Sequence, residues 1–171
     1  EKYKCICFHM TDLPFGRGGS PLQNLILLGL KKTKISAIRM TEKIDAGPIY
    51  FKNNLSLSGN AQSIFKRSSR IIFTMIKKII NENPKPLSQS GKIKHFKRRH
   101  PSQSLISRIN DLEKLYDFIR MLDADGYPKA FINFENFKIE FFNAKIIRKK
   151  NKSSNITANI KIFKIGDNIA K

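Results

Sequence analysis

Cysteines and acidic residues are scarce in this chain, and long apolar runs are missing. Each shortage closes off a class of explanation. Only two cysteines occur, Cys5 and Cys7. They lie two apart in a strand-like run, so their side chains share one face, and a bridge that short would distort the strand. Both read as buried thiols. No cysteine or histidine cluster has metal-site spacing, so no metal is expected. No apolar run approaches the roughly 20 residues that cross a bilayer, and no signal-peptide pattern opens the chain. A cytoplasmic location and no membrane partner are the expectation.

Acidic residues number 13 against 33 lysines and arginines, a net charge of +20. Such a field attracts phosphates, whether in RNA, nucleotides or membranes. The basic residues are spread along the chain among abundant Ile and Asn, as an AT-rich genome would produce. Charge alone therefore leaves two readings open, a compositional bias and a nucleic-acid surface. The apolar fraction, 40%, suffices for a packed core.

What is there alternates between strand and helix patterns. Tyr3 to His9 suits a buried strand, followed by a Gly-rich loop from Thr11 to Gly19. Ser20 as N-cap and Pro21 at the first helical position start a helix whose apolar face is Leu22, Leu25, Ile26 and Leu30. Strands are expected at Lys34 to Met40 and Ile49 to Leu57, joined by the loop Thr41 to Pro48. Ser58 or Asn60 then caps a long helix with the apolar pairs Ile64/Phe65, Ile71/Ile72, Met75/Ile76 and Ile79/Ile80, closed by Pro84 and Pro86. The Pro-, Ser- and Lys-rich stretch from about 81 to 104 reads as a linker. A helix starting at Asn110, with Glu113 as its capping partner, buries Leu112, Leu115, Ile119 and Leu122. Strands follow at Ala130 to Phe134, Phe137 to Ile147 and Ile156 to Ile165. The first strand has no element before it, so the chain is expected to be a fragment.

His9 and Asp45 stand at or just beyond strand ends, where α/β sheets place reactive groups. A histidine exchanges protons near neutrality, and a carboxylate beside it can orient it and accept a proton in turn. The two residues alone also fit a structural role. Their surroundings say more. His9-x3-Leu13-Pro14-x2-Arg17-Gly18-x2-Pro21, followed by Ile44-Asp45-Ala46-Gly47, resembles the signature of the folate-dependent formyltransferases. That family includes methionyl-tRNA formyltransferase, glycinamide ribonucleotide formyltransferase and the sugar-nucleotide N-formyltransferases. His95 to Ser104, with Phe-Lys-Arg-Arg-x-Pro-x-x-Ser, and Gly126-Tyr127-Pro128-x-Ala130-Phe131 look like the later part of the sugar enzymes.

The resemblance implies an α/β fold: the C-terminal half of a Rossmann-like formyltransferase domain (1–82), a linker (83–104) and a smaller, β-rich α+β C-terminal domain (105–171), truncated. It implies His9 and Asp45 as the catalytic pair and Thr11, Asp12, Leu13 and Pro14 as the folate-contacting loop. The implied reaction moves a formyl group from N10-formyltetrahydrofolate to a primary amine. The favoured acceptor is a nucleotide-linked amino sugar, and the alternative is methionyl-tRNA. Readings of another class are a non-catalytic basic RNA-binding module and an inactive remnant. Two positions depart from the family: Cys7 stands where Asn is usual, and Asp12 where an apolar residue is common.

Overall fold

The computed structural model describes residues 4–148 and 154–166. Its elements in chain order are β1 (Ile6–His9), β2 (Phe15–Gly18), α1 (Pro21–Leu27), β3 (Lys32–Arg39), β4 (Ile49–Ser56), α2 (Ala61–Glu82), β5 (Lys94–Phe96), α3 (Leu112–Arg120), β6 (Ala130–Phe134), β7 (Phe137–Ile147) and β8 (Asn155–Lys164). The chain is a mixed α/β protein of two compact units, Glu1–Gly59 with Ser63–Arg99, and Asn60–Gln62 with His100–Lys171. The expected strand start at Tyr3 and most of the expected loop at 149–155 lie outside the described residues.

In the first unit β1, β3 and β4 form one sheet in that order, paired antiparallel throughout. β3 is its spine. Ile35 and Ala37 are fully buried on one face, and Ser36, also fully buried, points to the other. α2 follows its helical period: Ala61, Ile64, Ser68 and Met75 are buried. The apolar pairs toward its C-terminus are half spent on solvent, since Ile76 is 39% and Ile80 72% exposed.

Three local expectations change. α1 buries Leu22, Leu25 and Ile26 but not Leu30, because the helix stops at Leu27 and Gly29, at φ 74°, turns the chain away. Ser20 precedes α1 without capping it: it sits at φ 50°, and its hydroxyl accepts the Arg99 N–H at 3.0 Å instead. Most of the stretch read as a linker belongs to the first unit. Its β5 pairs parallel with β2, and Phe96 is buried with its ring edge-to-face on Phe15 at 5.6 Å. A segment so polar holds its place through backbone pairing and one aromatic anchor.

In the second unit α3 packs on β7, and β6, β7 and β8 form an antiparallel meander. Asp111, not Asn110, caps α3 by accepting the Lys114 N–H at 2.8 Å. The helix buries Phe118 and Ile119 and continues into buried Met121 and Leu122, while Leu112 and Leu115 are only half-buried. Two carboxylates are enclosed here. Asp117 pairs with Arg120 at 2.6 Å. Asp123 accepts from Lys129 Nζ, from Asn60 Nδ2 and from the Asn143 N–H, at 3.1, 3.0 and 2.9 Å.

Candidate active site

β1 delivers His9 to the site. Its last residue lies opposite Ser36 of β3, and the Ser36 hydroxyl fixes the chain immediately beyond, donating to Thr11 O at 2.7 Å and accepting the Leu13 N–H at 3.3 Å. The loop then folds back so that Gly16 O meets His9 Nε2 at 2.8 Å. A carbonyl oxygen only accepts, so Nε2 carries a proton. In the neutral ring Nδ1 is then the acceptor, and it faces Asp45 Oδ1 at 3.5 Å. The His9 side chain is 8% and that of Asp45 14% exposed, so the pair is shielded yet reachable.

Asp45 is held at both ends. Its Oδ2 accepts the Gly18 N–H at 2.8 Å. Its backbone is left-handed at φ 51°, a region non-glycine residues seldom enter. Two glycines are required by close approach. A side chain at Gly47 would overlap the Arg39 carbonyl oxygen, and one at Gly18 would overlap that of Phe96. The glycines of the two motifs let the loops carrying His9 and Asp45 close on their neighbours.

The four loop residues are placed as follows. Thr11 and Leu13 are fully buried and Pro14 is buried. Only Asp12 is open, with 43% of its side chain exposed, and it is bracketed by Lys34 at 3.0 Å and Lys52 at 2.5 Å. Burial pushes the Asp12 carboxyl up, but the hydrogen bonds and charges of Lys52 and Lys34 outweigh it and hold the group below the usual carboxylate range. The side chain that departs from the family's apolar habit thus has its own ion cluster.

Cys7 shares a face with His9, two residues along β1. It lines a cavity of about 170 Å³ together with Ile38, Met40, Thr41 and Asp45. Burial and then the Asp45 carboxylate push its thiol up, away from the thiolate that a nucleophile needs. The expectation that both cysteines are buried fails at Cys5, which is exposed, and holds only in part at Cys7, which is half-buried. It lies one residue before β1 begins, so strand burial does not extend to it.

Sequence reasoning missed Gln89. Its amide oxygen accepts from Arg17 Nε and Nη2 at 3.2 and 2.7 Å, and its amide nitrogen donates to Asp45 O and Gly47 O at 2.9 and 2.7 Å. Nothing local marks it, because its partners lie more than forty residues away and two of them are backbone carbonyls. Among the described residues no group of three or more His, Cys, Asp or Glu could hold a metal. No helix among them is long and apolar enough to cross a membrane.

Comparison with known proteins shows the family. A family model described as the methionyl-tRNA formyltransferase C-terminal domain matches residues 101–163. A methionyl-tRNA formyltransferase of Wolbachia pipientis subsp. Culex pipiens is 31% identical over 155 residues, 84% of this chain and 48% of that protein. The chain spans about half the length of the curated relatives it matches. A solved methionyl-tRNA formyltransferase from Clostridium thermocellum superposes with a TM-score of 0.87 at 51% identity, covering 95% of this chain and 70% of that one. A 4-N formyltransferase from Francisella tularensis shares the fold, with a TM-score of 0.62 over 77% of this chain and 58% of that one, but is only 18% identical. With half its residues shared with the Clostridium enzyme along nearly its whole length, the chain belongs to the methionyl-tRNA formyltransferase family.

Proposed function

We propose that the protein to which this chain belongs transfers a formyl group from N10-formyltetrahydrofolate to the amino group of methionyl-tRNA. The observation that carries the reading is the His9–Asp45 pair, held by two loop motifs, in a chain 51% identical to a methionyl-tRNA formyltransferase. The amino-sugar acceptor favoured from the Phe-Lys-Arg-Arg-x-Pro region gives way to tRNA. The sugar enzymes share the fold at 18% identity, while the close relatives carry the tRNA name.

Bound folate would supply the activated formyl carbon. Acyl transfer to an amine needs a proton acceptor beside the nitrogen and a donor toward the oxygen that gains charge. The Nδ1–Asp45 pair is the acceptor: the amine proton moves to it as the new carbon–nitrogen bond forms. His9 would then be placed to hold that proton for the nitrogen that leaves. Thr11, Asp12, Leu13 and Pro14 would meet the folate through the outer surface of their loop, since three of the four side chains point into the core. We further infer that the first unit is the C-terminal part of a Rossmann-like catalytic domain, and that the second, which contains the matched residues 101–163, is the smaller C-terminal domain.

The test is formyl transfer by the full-length protein, with methionyl-tRNA and an amino-sugar nucleotide offered in parallel. Methionyl-tRNA should be formylated, and His9→Ala should lower kcat by about 10²–10⁴-fold. Formylation of the sugar nucleotide alone, or an unchanged His9→Ala rate, would overturn the reading.

A further inference from the structure

We propose that Gln89 is a positioning residue for the reaction, an amide clamp that sets the backbone of Asp45 and so the distance from Asp45 to His9. The inference rests on the formyl-transfer reading for its kinetic readout and stands on geometry otherwise.

The side-chain carboxylate of Asp45 is tethered to the first motif by the Gly18 N–H. That tether aims the carboxylate only if the backbone behind it is also fixed. At φ 51° the Asp45 backbone is in a region that local preference does not hold. Beside the Ala46 N–H to Lys43 O bond that closes the turn, the Gln89 amide nitrogen gives its two hydrogens to the carbonyls of Asp45 and Gly47, one on each side of Ala46. A side-chain amide can present either atom to either partner, and here the choice is forced. The Arg17 guanidinium has donors only and takes the oxygen. The nitrogen must then face the two carbonyls. Arg17, which belongs to the first motif, therefore orients Gln89, and Gln89 orients Asp45 of the second. The two motifs are joined twice, once through Gly18 to the carboxylate and once through Arg17 and Gln89 to the backbone. The joint matters to chemistry because a reacting group displaced by about 1 Å can cost on the order of 10²-fold in rate.

Gln89→Glu separates positioning from filling. It keeps the length and offers Arg17 an oxygen, but sets a second oxygen against two carbonyl oxygens. Gln89→Ala removes both contacts. In the full-length protein, both variants should lower kcat by about tenfold to 10²-fold with KM for tRNA and folate unchanged. Arg17→Lys, which loses the fork, should add little on top of Gln89→Ala, since the two act through one clamp. A readout independent of turnover is the NMR titration of the His9 ring. It should move in both Gln89 variants, because its carboxylate partner has shifted, while that of His100 stays. A wild-type protein that does not formylate would sink the functional reading, yet the His9 titration would still report on the clamp. A Gln89→Glu protein with wild-type kcat and an unmoved His9 titration would overturn the inference, as would a loss confined to KM.

Discussion

Asp45 and Asp123 are both shielded carboxylates, one in each unit, and they are treated in opposite ways. Asp123 meets an ammonium, an amide and a backbone N–H at about hydrogen-bond length. Burial alone would push it up, but Asn60, the Asn143 N–H and Lys129 together hold it below the ordinary carboxylate range. Its charge is spent on joining the start of α2, the loop after α3 and the bulged stretch of β7. Asp45 receives one backbone N–H and faces an imidazole that can take or give a proton. A carboxylate satisfied on every side is structural, and one left facing a titratable ring is available for chemistry.

Substitution should break this contrast cleanly. Asp45→Asn in the full-length protein keeps the shape and the Gly18 contact but removes the charge that faces the His9 ring. The expected result is a fall in kcat of about 10²–10⁴-fold with a thermal midpoint near wild type. Asp123→Ala should do the reverse, costing about 2–4 kcal/mol of stability, because it leaves Lys129 and the Asn143 N–H without their partner, while kcat per folded molecule is retained. Thermal melts alongside kcat decide the matter. If Asp123→Ala lost activity without stability, or Asp45→Asn lost stability first, the division of labour would be wrong.

Acid sharpens the same comparison with a smaller effect. Because the folded Asp123 carboxyl is held below its unfolded value, its contribution is fully present above about pH 4. That contribution is lost as pH falls through the depressed folded value. The stability of the wild-type protein should therefore decline more steeply below about pH 4 than that of Asp123→Asn, which has no carboxylate to protonate. Denaturant midpoints measured across that range for the two proteins should converge as the pH drops.

The pairing of His9 with Asp45 was legible in the sequence and the Asp123 cluster was not. His9 and Asp45 stand at or just beyond strand ends, and the resemblance of the motifs around them to the folate-dependent formyltransferases singled them out. Gln89 and β5 are held by partners far off in sequence, and in a polar, Lys-rich stretch such residues look like solvated linker, while the Asp123 cluster gathers donors 6, 20 and 63 residues away that no single motif contains. Ser20 shows the opposite error. Its preference for capping α1 is a local propensity, and it yielded once the Arg99 N–H arrived to use the hydroxyl. Leu30 failed for a similar reason: helical spacing cannot show that Gly29 ends the helix first. The strands of the second unit were readable to within a residue or so because each is long and flanked by turn residues.

The smallest predicted effect concerns Cys7, which lies on the face of β1 that bears His9 and lines the same cavity as Asp45. Its thiol is kept neutral by burial and by the Asp45 charge, so it offers the site at best a weak donor. An asparagine there would bring an amide N–H₂ to the same face. One good hydrogen bond is worth about 0.5–1.5 kcal/mol net, which converts to roughly a twofold to tenfold gain in rate if the bond forms only at the transition state. Cys7→Asn should therefore raise kcat within that range and leave KM unchanged. Thiol alkylation gives a parallel check, since exposed Cys5 should react well before Cys7, and Asp45→Asn should speed the reaction at Cys7 alone. A Cys7→Asn protein slower than wild type would mean that the cavity has been packed around the thiol and that the oxygen gaining charge is served from elsewhere.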